Sequence, residues 1–340
     1  MFTRFKCFVV IVVFFMLLIS QAGKNIVAAQ QTPKTVNLKV VLYPFFSVAP
    51  FFIAEEEGYF AEQGLEIEYV KLDEDIAIPA LARGEVDVYT GLINIGALNA
   101  MHRGANIRFV SDRGYLAYED CSYFGLVARK ALVETGELNR PSQLNGRNVS
   151  WFRASFEEYF LEEVLKKDGV QLDDLKKITI PPPADIGAMS KGGLDLTVTS
   201  EPWVTRIVQS GYGVLWLPDQ KVLPDFQFGL TLYGPKILEN NPDAGKRFMV
   251  AYLKGARQHN QGKTARNLEI VTKYTGLKPD LLEKACWPKV RNDGRINVQS
   301  IRDFQDWAIA KGYLDQPVPS NLFMDTSFIE HATRVLNKTQ

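Results

Sequence analysis

The sequence predicts an α/β protein of two domains, and three observations carry that expectation. From residue 36 to residue 234, short β-branched and aliphatic runs alternate with segments of helical period. That alternation occurs twice, with the second round beginning near residue 122. The chain has 340 residues, the length of two domains at roughly 100–200 residues each. Alternating strands and helices argue for helices layered around a mostly parallel sheet.

The first element is not part of that body. Arg4 and Lys6 form a short basic stretch, CFVVIVVFFMLLI follows without a polar residue, and Val27, Ala28 and Ala29 offer a small-residue cleavage site. This is the three-part pattern of a secretory signal peptide, expected over 1–29. The apolar run is short of the about 20 residues a membrane span needs. An uncleaved N-terminal anchor is the alternative. Cys7 opens the apolar run, whereas a lipoprotein cysteine follows it, which argues against a lipid anchor at this end.

Residues 36–43, VNLKVVLY, read as a strand broken by Pro44. Residues 51–60 read as a helix closed by Gly58, with Glu55, Glu56 and Glu57 as a solvated face. Strands follow at 65–72, 86–91 and 106–114, with helices at 75–83 and through Ala97, Leu98 and Met101. The second round has strands at 122–130, 148–152, 176–181, 194–203 and 213–218, and a helix at 156–167. The helix shows Phe156, Tyr159, Phe160, Val164 and Leu165 on an apolar stripe. Residues 226–234 read as a strand leading back. From residue 241 the reading is nearly all helical, with helices at 243–259, 267–274, 280–285 and 298–311.

Lys+Arg and Asp+Glu are 39 each, and no basic stripe points to nucleic acid or an anionic membrane. After the apolar segment only Cys121 and Cys286 remain. They are able to pair in an oxidising compartment, and two buried free thiols are the reading preferred on sequence alone. The chain has no P-loop, no Gly-x-Ser-x-Gly and no HExxH. His102, His259 and His331 lie far apart in polar helical contexts and read as solvated. No metal and no cofactor are expected.

Four strand ends share one design: each breaks into a polar or Gly/Pro-containing loop from which a helix starts. The loops are 44–50, 90–94, 153–156 and 199–203. In α/β folds ligands sit beyond the carboxyl ends of strands, where helix N-termini offer free N–H groups. Two half-domains with such loops facing each other make a cleft.

VVLYPFFSVAPFFIAEEEGYFAEQGLEIEYV resembles the opening of the binding proteins that serve nitrate, sulfonate, taurine and thiamine-precursor ABC importers, with Gly58-Tyr59-Phe60 and Gly64-Leu65 in place. IPALARGEVDVYTGLINIGALNAMHRGANIRFV is similar to the family's next segment, with Gly84 to Asp87 in its G-x-x-D place. KGGLDLTVTSEPWVTRIVQSGYG resembles its strand-to-EP loop. The similarity runs from about residue 36 to residue 233. It implies a type II periplasmic binding protein: two α/β lobes joined by crossing strands near 122–130 and 226–233. Lobe one is then 30–123 completed by 227–340 with the C-terminal helices, and lobe two is 124–226. It also implies hinge closure on a small-molecule ligand, action as a monomer, and delivery to a permease with its ATPase in the inner membrane.

The candidate ligand residues are those of the four loops and their neighbours: Tyr43, Phe45, Phe46, Ser47, Thr90, Leu92, Asn94, Arg153, Ser155, Phe156, Glu201, Trp203 and Phe228. Aromatic faces stack planar ligands, Arg153 is placed to meet an anionic group, and Glu201 to accept from a ring N–H. The set favours a flat organic solute such as a pyrimidine, a flavin or an aromatic acid. A sulfonate, taurine or nitrate is the alternative. For each aromatic the competing reading is core packing, and for Arg153 a surface charge. Fungal relatives that make the thiamine pyrimidine from their own His are the enzymatic rival. Their first loop carries a His and they hold a tight Cys cluster; here the loop reads Phe45-Phe46-Ser47-Val48 and no such cluster exists.

Overall fold

The computed structural model describes residues 35–43, 46–117 and 121–338, without the side chains of Phe46 and Glu74. The expected signal peptide and the candidate Phe45 lie outside the described residues. Ten strands are formed among those residues: β1 (Val36–Val41), β2 (Leu65–Val70), β3 (Val88–Leu92), β4 (Arg108–Tyr115), β5 (Phe124–Arg129), β6 (Asn148–Ser150), β7 (Lys176–Ile178), β8 (Leu196–Ser200), β9 (Gly213–Pro218) and β10 (Gln227–Tyr233). They build two five-stranded sheets, ordered β2-β1-β3-β10-β4 and β7-β6-β8-β5-β9.

The two sheets have the same plan. In the first, β1 pairs in parallel with β2 and β3, and β10 runs antiparallel between β3 and β4. In the second, β6 pairs in parallel with β7 and β8, and β5 runs antiparallel between β8 and β9. Each antiparallel strand is the one on which the chain arrives from the other sheet. The molecule therefore has two lobes, with mostly parallel sheets. The two crossovers run side by side: the Leu116 amide donates to Phe226 O (2.9 Å) and the Asp225 amide to Leu116 O (2.8 Å).

The helices that position the site are α1 (Ala49–Glu56), α2 (Ile95–His102), α3 (Phe156–Lys166), α4 (Trp203–Gln209), α5 (Pro242–His259), α6 (Ala265–Thr275), α7 (Val298–Ala310) and α8 (Ser327–Lys338). Gly58 ends the α1 region in the left-handed conformation, φ 73°, which costs glycine nothing. α5 starts with Pro242 behind Asn241, whose side chain accepts the Ala244 amide at 3.2 Å. It packs on α1, with Phe51 stacked on Tyr252 at 4.5 Å between ring centres.

Several sequence expectations are corrected. Glu55, Glu56 and Glu57 are not a free solvated face: Glu56 pairs with Lys273 (2.6 Å), Glu57 with Arg266 (2.7 Å), and Glu55 is half-buried, which raises its carboxyl. α6 docks there and brings the cations. His259 is 2% exposed and stacks on Trp287, not on solvent. Cys121 and Cys286 form a disulfide, with Cα atoms 5.5 Å apart across 165 residues of sequence. α8 has no counterpart in the sequence reading, because only Phe328, Ile329 and Ala332 form its buried stripe. α7 does not serve the first lobe alone. Its Trp307 Nε1 donates to Glu162 Oε2 (2.5 Å) on α3 of the second lobe, and the Tyr313 carbonyl just after it accepts from Asn99 on α2 of the first.

Candidate functional site

The carboxyl ends of β1, β3 and β4 converge on one buried charge. Arg113, near the end of β4, is 3% exposed. Its Nε and Nη2 donate to Gly91 O at 3.2 and 2.8 Å, and its Nη1 donates to Ser47 Oγ at 3.0 Å. Ser47 lies in the loop after β1 and is itself buried. The Tyr123 hydroxyl, on the crossover, hydrogen-bonds both Ser47 and Ser200, the last residue of β8. A continuous polar chain, Gly91–Arg113–Ser47–Tyr123–Ser200, thus runs from the first lobe to the second.

Local sequence explains the placement. Gly114 follows Arg113, and a β-carbon there would stand 2.7 Å from the Phe228 ring; glycine lets β4 press against β10. Phe228 is stacked on Tyr123 at 5.2 Å, which holds the phenol between the serines.

No described carboxylate forms an ion pair with Arg113. The neighbouring Asp112 is used elsewhere: its Oδ1 accepts from Gln227 Nε2 (2.6 Å) and its Oδ2 from the Arg291 amide (2.6 Å). Burial pulls the Arg113 guanidinium below its ordinary value, against smaller opposing effects of Tyr123, Tyr252, Tyr89 and Asp112. A buried charge without a partner costs several kcal/mol, and this one is held by neutral oxygens only. Burial likewise raises Tyr123, so the phenol stays protonated and can donate.

The sequence candidates divide. Ser47 is in the chain. Thr90 is buried beside it and spends its hydroxyl on Val41 O at 3.2 Å. Tyr43, half-buried, meets Tyr89 edge-on at 6.5 Å, and Leu92 is half-buried at the end of β3. Asn94 caps α2, accepting the Ala97 amide at 3.0 Å. Phe46 is placed only by its backbone, in a single 3₁₀ turn ahead of α1.

In the second lobe the candidates are occupied. Arg153 is exposed, donates to the Tyr313 hydroxyl at 3.1 Å and lies 5.6 Å over its ring. Ser155 caps α3. Glu201 is 3% exposed and gives its oxygens to the Thr205 amide (3.0 Å), the Thr205 hydroxyl (2.7 Å) and the Cys286 amide (3.1 Å). Burial raises its carboxyl, and the Thr205 and Cys286 bonds oppose the rise. Trp203 is half-buried under Arg206, 4.5 Å from the ring centre. Phe156 and Phe228, each 1% exposed, are corrected from stacking faces to core. Phe156 lies against Phe226 (5.4 Å) and Phe124 (5.0 Å), and Phe228 against Tyr123. Aromatic rings enclosed on both faces hold the lobes together and have no face left for a solute.

Sequence reasoning missed Arg113 and Tyr123. The signal was present as Asp112-Arg113 inside an otherwise strand-like run. Adjacent opposite charges in a buried strand are expensive unless each is used. Among the described residues no group of His, Cys, Asp or Glu is placed to hold a metal, and no helix is long and apolar enough to cross a membrane.

Residues 46–261 match the family model described as NMT1/THI5 like. The bicarbonate-binding protein CmpA of Synechococcus elongatus is 25% identical over 202 residues, covering 53% of this chain and 44% of CmpA. The chain thus spans less than half the length of that relative. Among solved structures, the periplasmic nitrate-binding protein NrtA from Synechocystis PCC 6803 superposes with a TM-score of 0.71 at 13% identity, covering 89% of each chain. The desulfurization enzyme DSZB does so with a TM-score of 0.66 at 13% identity, covering 89% of this chain and 99% of the enzyme. Binding proteins and an enzyme therefore share this fold.

Proposed function

The chain belongs to the NMT1/THI5 like family, and from that premise we propose that it is the exported solute-binding component of an ABC importer. It captures a small solute between its lobes in the periplasm and presents it to a permease with its ATPase. The first lobe is assigned to 30–123 with 227–340, and the second to 124–226, with α7 touching both.

The observation that carries the reading is Arg113, a buried cation at the meeting of the strand ends with no described carboxylate paired to it. A solute bearing an anionic oxygen group supplies the missing charge through charge-assisted hydrogen bonds. Relatives described as bicarbonate- and nitrate-binding fit this chemistry. Within the planar organic class, an aromatic acid meets it too, because its carboxylate offers the same anionic oxygens. An uncharged pyrimidine does not. Catalysis is not proposed: the chain Gly91–Arg113–Ser47–Tyr123–Ser200 holds no general base and no activated nucleophile.

The test is a melting-temperature panel on the mature chain with nitrate, bicarbonate, sulfate, ethanesulfonate, benzoate, thiamine and riboflavin. A binder at about 100 times its dissociation constant stabilises by about 2.7 kcal/mol. Stabilisation by anionic members, without chemical change in the solute, is expected. Stabilisation by thiamine or riboflavin alone overturns the anionic assignment, and turnover of any member overturns the binding role.

A further inference from the structure

One segment outside the polar chain grips both lobes and both crossovers. It is residues 286–291. Cys286 is bonded through sulfur to Cys121, just ahead of β5, and through its amide to Glu201 of the second lobe. Trp287 stacks on His259 of α5 in the first lobe at 5.4 Å, and the His259 ring nitrogen Nε2 lies 2.8 Å from Pro288 O. Asn260, next on the first lobe, donates to Val290 O at 2.5 Å. The Lys289 carbonyl accepts the Tyr115 amide, 3.1 Å, where the first crossover leaves β4. Arg291 lies 4.0 Å over the Tyr115 ring and reaches the second crossover, pairing with Asp225 at 2.7 Å and Gln227 at 3.0 Å.

We propose that residues 286–291 are a strap across the hinge, fixed by the Cys121–Cys286 disulfide, and that the strap limits how far the two lobes separate. Opening a two-lobe protein requires a few crossover residues to change their backbone angles. Here the crossovers are bonded to each other at Leu116 and to the strap at Tyr115 and Asp225. Their rotation must carry the strap with it. The strap cannot follow freely, because Trp287 and Val290 hold it to the first lobe while Cys286 holds it to Cys121 and Glu201. Little slack exists: the cavity between Tyr115, Tyr123, Cys286 and Trp287 is about 10 Å³, no more than one water. The device concerns the hinge alone and does not depend on which solute binds.

The experiment compares wild type with Cys121→Ser/Cys286→Ser by amide hydrogen exchange and small-angle X-ray scattering, without ligand. Expected are a larger radius of gyration and faster exchange at the Tyr115 and Cys286 amides, with β1 and β8 unchanged. Glu201→Ala keeps the disulfide and releases one contact. It is expected to speed exchange at Cys286 while leaving the radius as in wild type. If the double variant does not fold, wild type treated with a water-soluble phosphine takes its place. The phosphine gives two electrons to the disulfide, water supplies two protons and the oxygen of the phosphine oxide, and two thiols result. Unchanged exchange and radius on losing the disulfide overturn the strap. So do two free thiols per chain in untreated wild type. Neither result bears on the solute panel.

Discussion

The two lobes share a strand order but treat their strand-end loops in opposite ways. In the first lobe, the carboxyl end of β3 and the loop after β1 set neutral oxygens around Arg113 of β4, and no described carboxylate pairs with it. In the second lobe, the corresponding loops give their polar groups to helix caps and to residues of the first lobe. Ser155 caps α3, Glu201 is divided between Thr205 and Cys286, and Arg153 rests on Tyr313. Identical topology thus offers two sets of loop positions, and only one keeps a charge in reserve. On the proposed function, the anchor for the solute falls in the first lobe and closure over it is left to the second.

The largest expected effect comes from removing that charge. Arg113→Met should cost about 2–5 kcal/mol in the binding of whichever anionic solute the panel identifies, the range for breaking a buried charge pair. The unliganded variant should melt no lower than wild type, since burial penalises the cation and no described carboxylate forms an ion pair with it. Calorimetric titration and thermal melts read both. A variant that binds as wild type does removes the distinction between the lobes.

A second contrast lies in buried titrating groups. His259 in the first lobe is lowered to about 4, by burial first and by Lys289 in lesser part, against the Pro288 carbonyl. The unfolded chain therefore takes up the proton first. The stability His259 contributes is complete above about pH 6.5 and is lost as pH falls toward about 4, about 3 kcal/mol in all. Asp185 in the second lobe is raised to about 6, by burial against its bond from Thr197. Its contribution is complete below about pH 4 and is lost as pH rises through about 6, about 2 kcal/mol. The opposed slopes partly cancel in wild type. In His259→Gln the remaining slope should show stability falling from pH 4 to pH 6, and in Asp185→Asn rising, both measured by urea denaturation. Parallel profiles for the two variants would refute the assignment.

The smallest effect is expected at Arg153. Arg153→Ala removes an exposed contact with Tyr313 and should leave the melting temperature close to that of wild type. Solute affinity should stay within twofold. A loss comparable to that of Arg113→Met would return the second lobe to the role of anchor.

Much of this was legible before the fold. The loop after β1 was singled out, and Ser47 within it stands in the polar chain. Strand limits were close, since β-branched runs bounded by Gly and Pro announce themselves. The aromatics were legible as aromatics but not as to purpose. Phe156 sits in a helical stripe, which marks one face as buried without saying what covers it. The covering ring, Phe226, lies 70 positions away on the second crossover.

By itself, the sequence determined the alternation of strand and helix, the mostly parallel order and the four strand-end loops. Each is written in local periodicity and turn residues, whose reach is a few positions. Only the tertiary structure decided which loop kept an unpaired charge, that Cys121 meets Cys286, and that α7 binds both lobes. Those outcomes depend on contacts between residues as far apart as 66 positions for Arg113 and Ser47 and 165 for the cysteines. Periodicity records how deeply a residue is buried; the crossing strands choose what it is buried against.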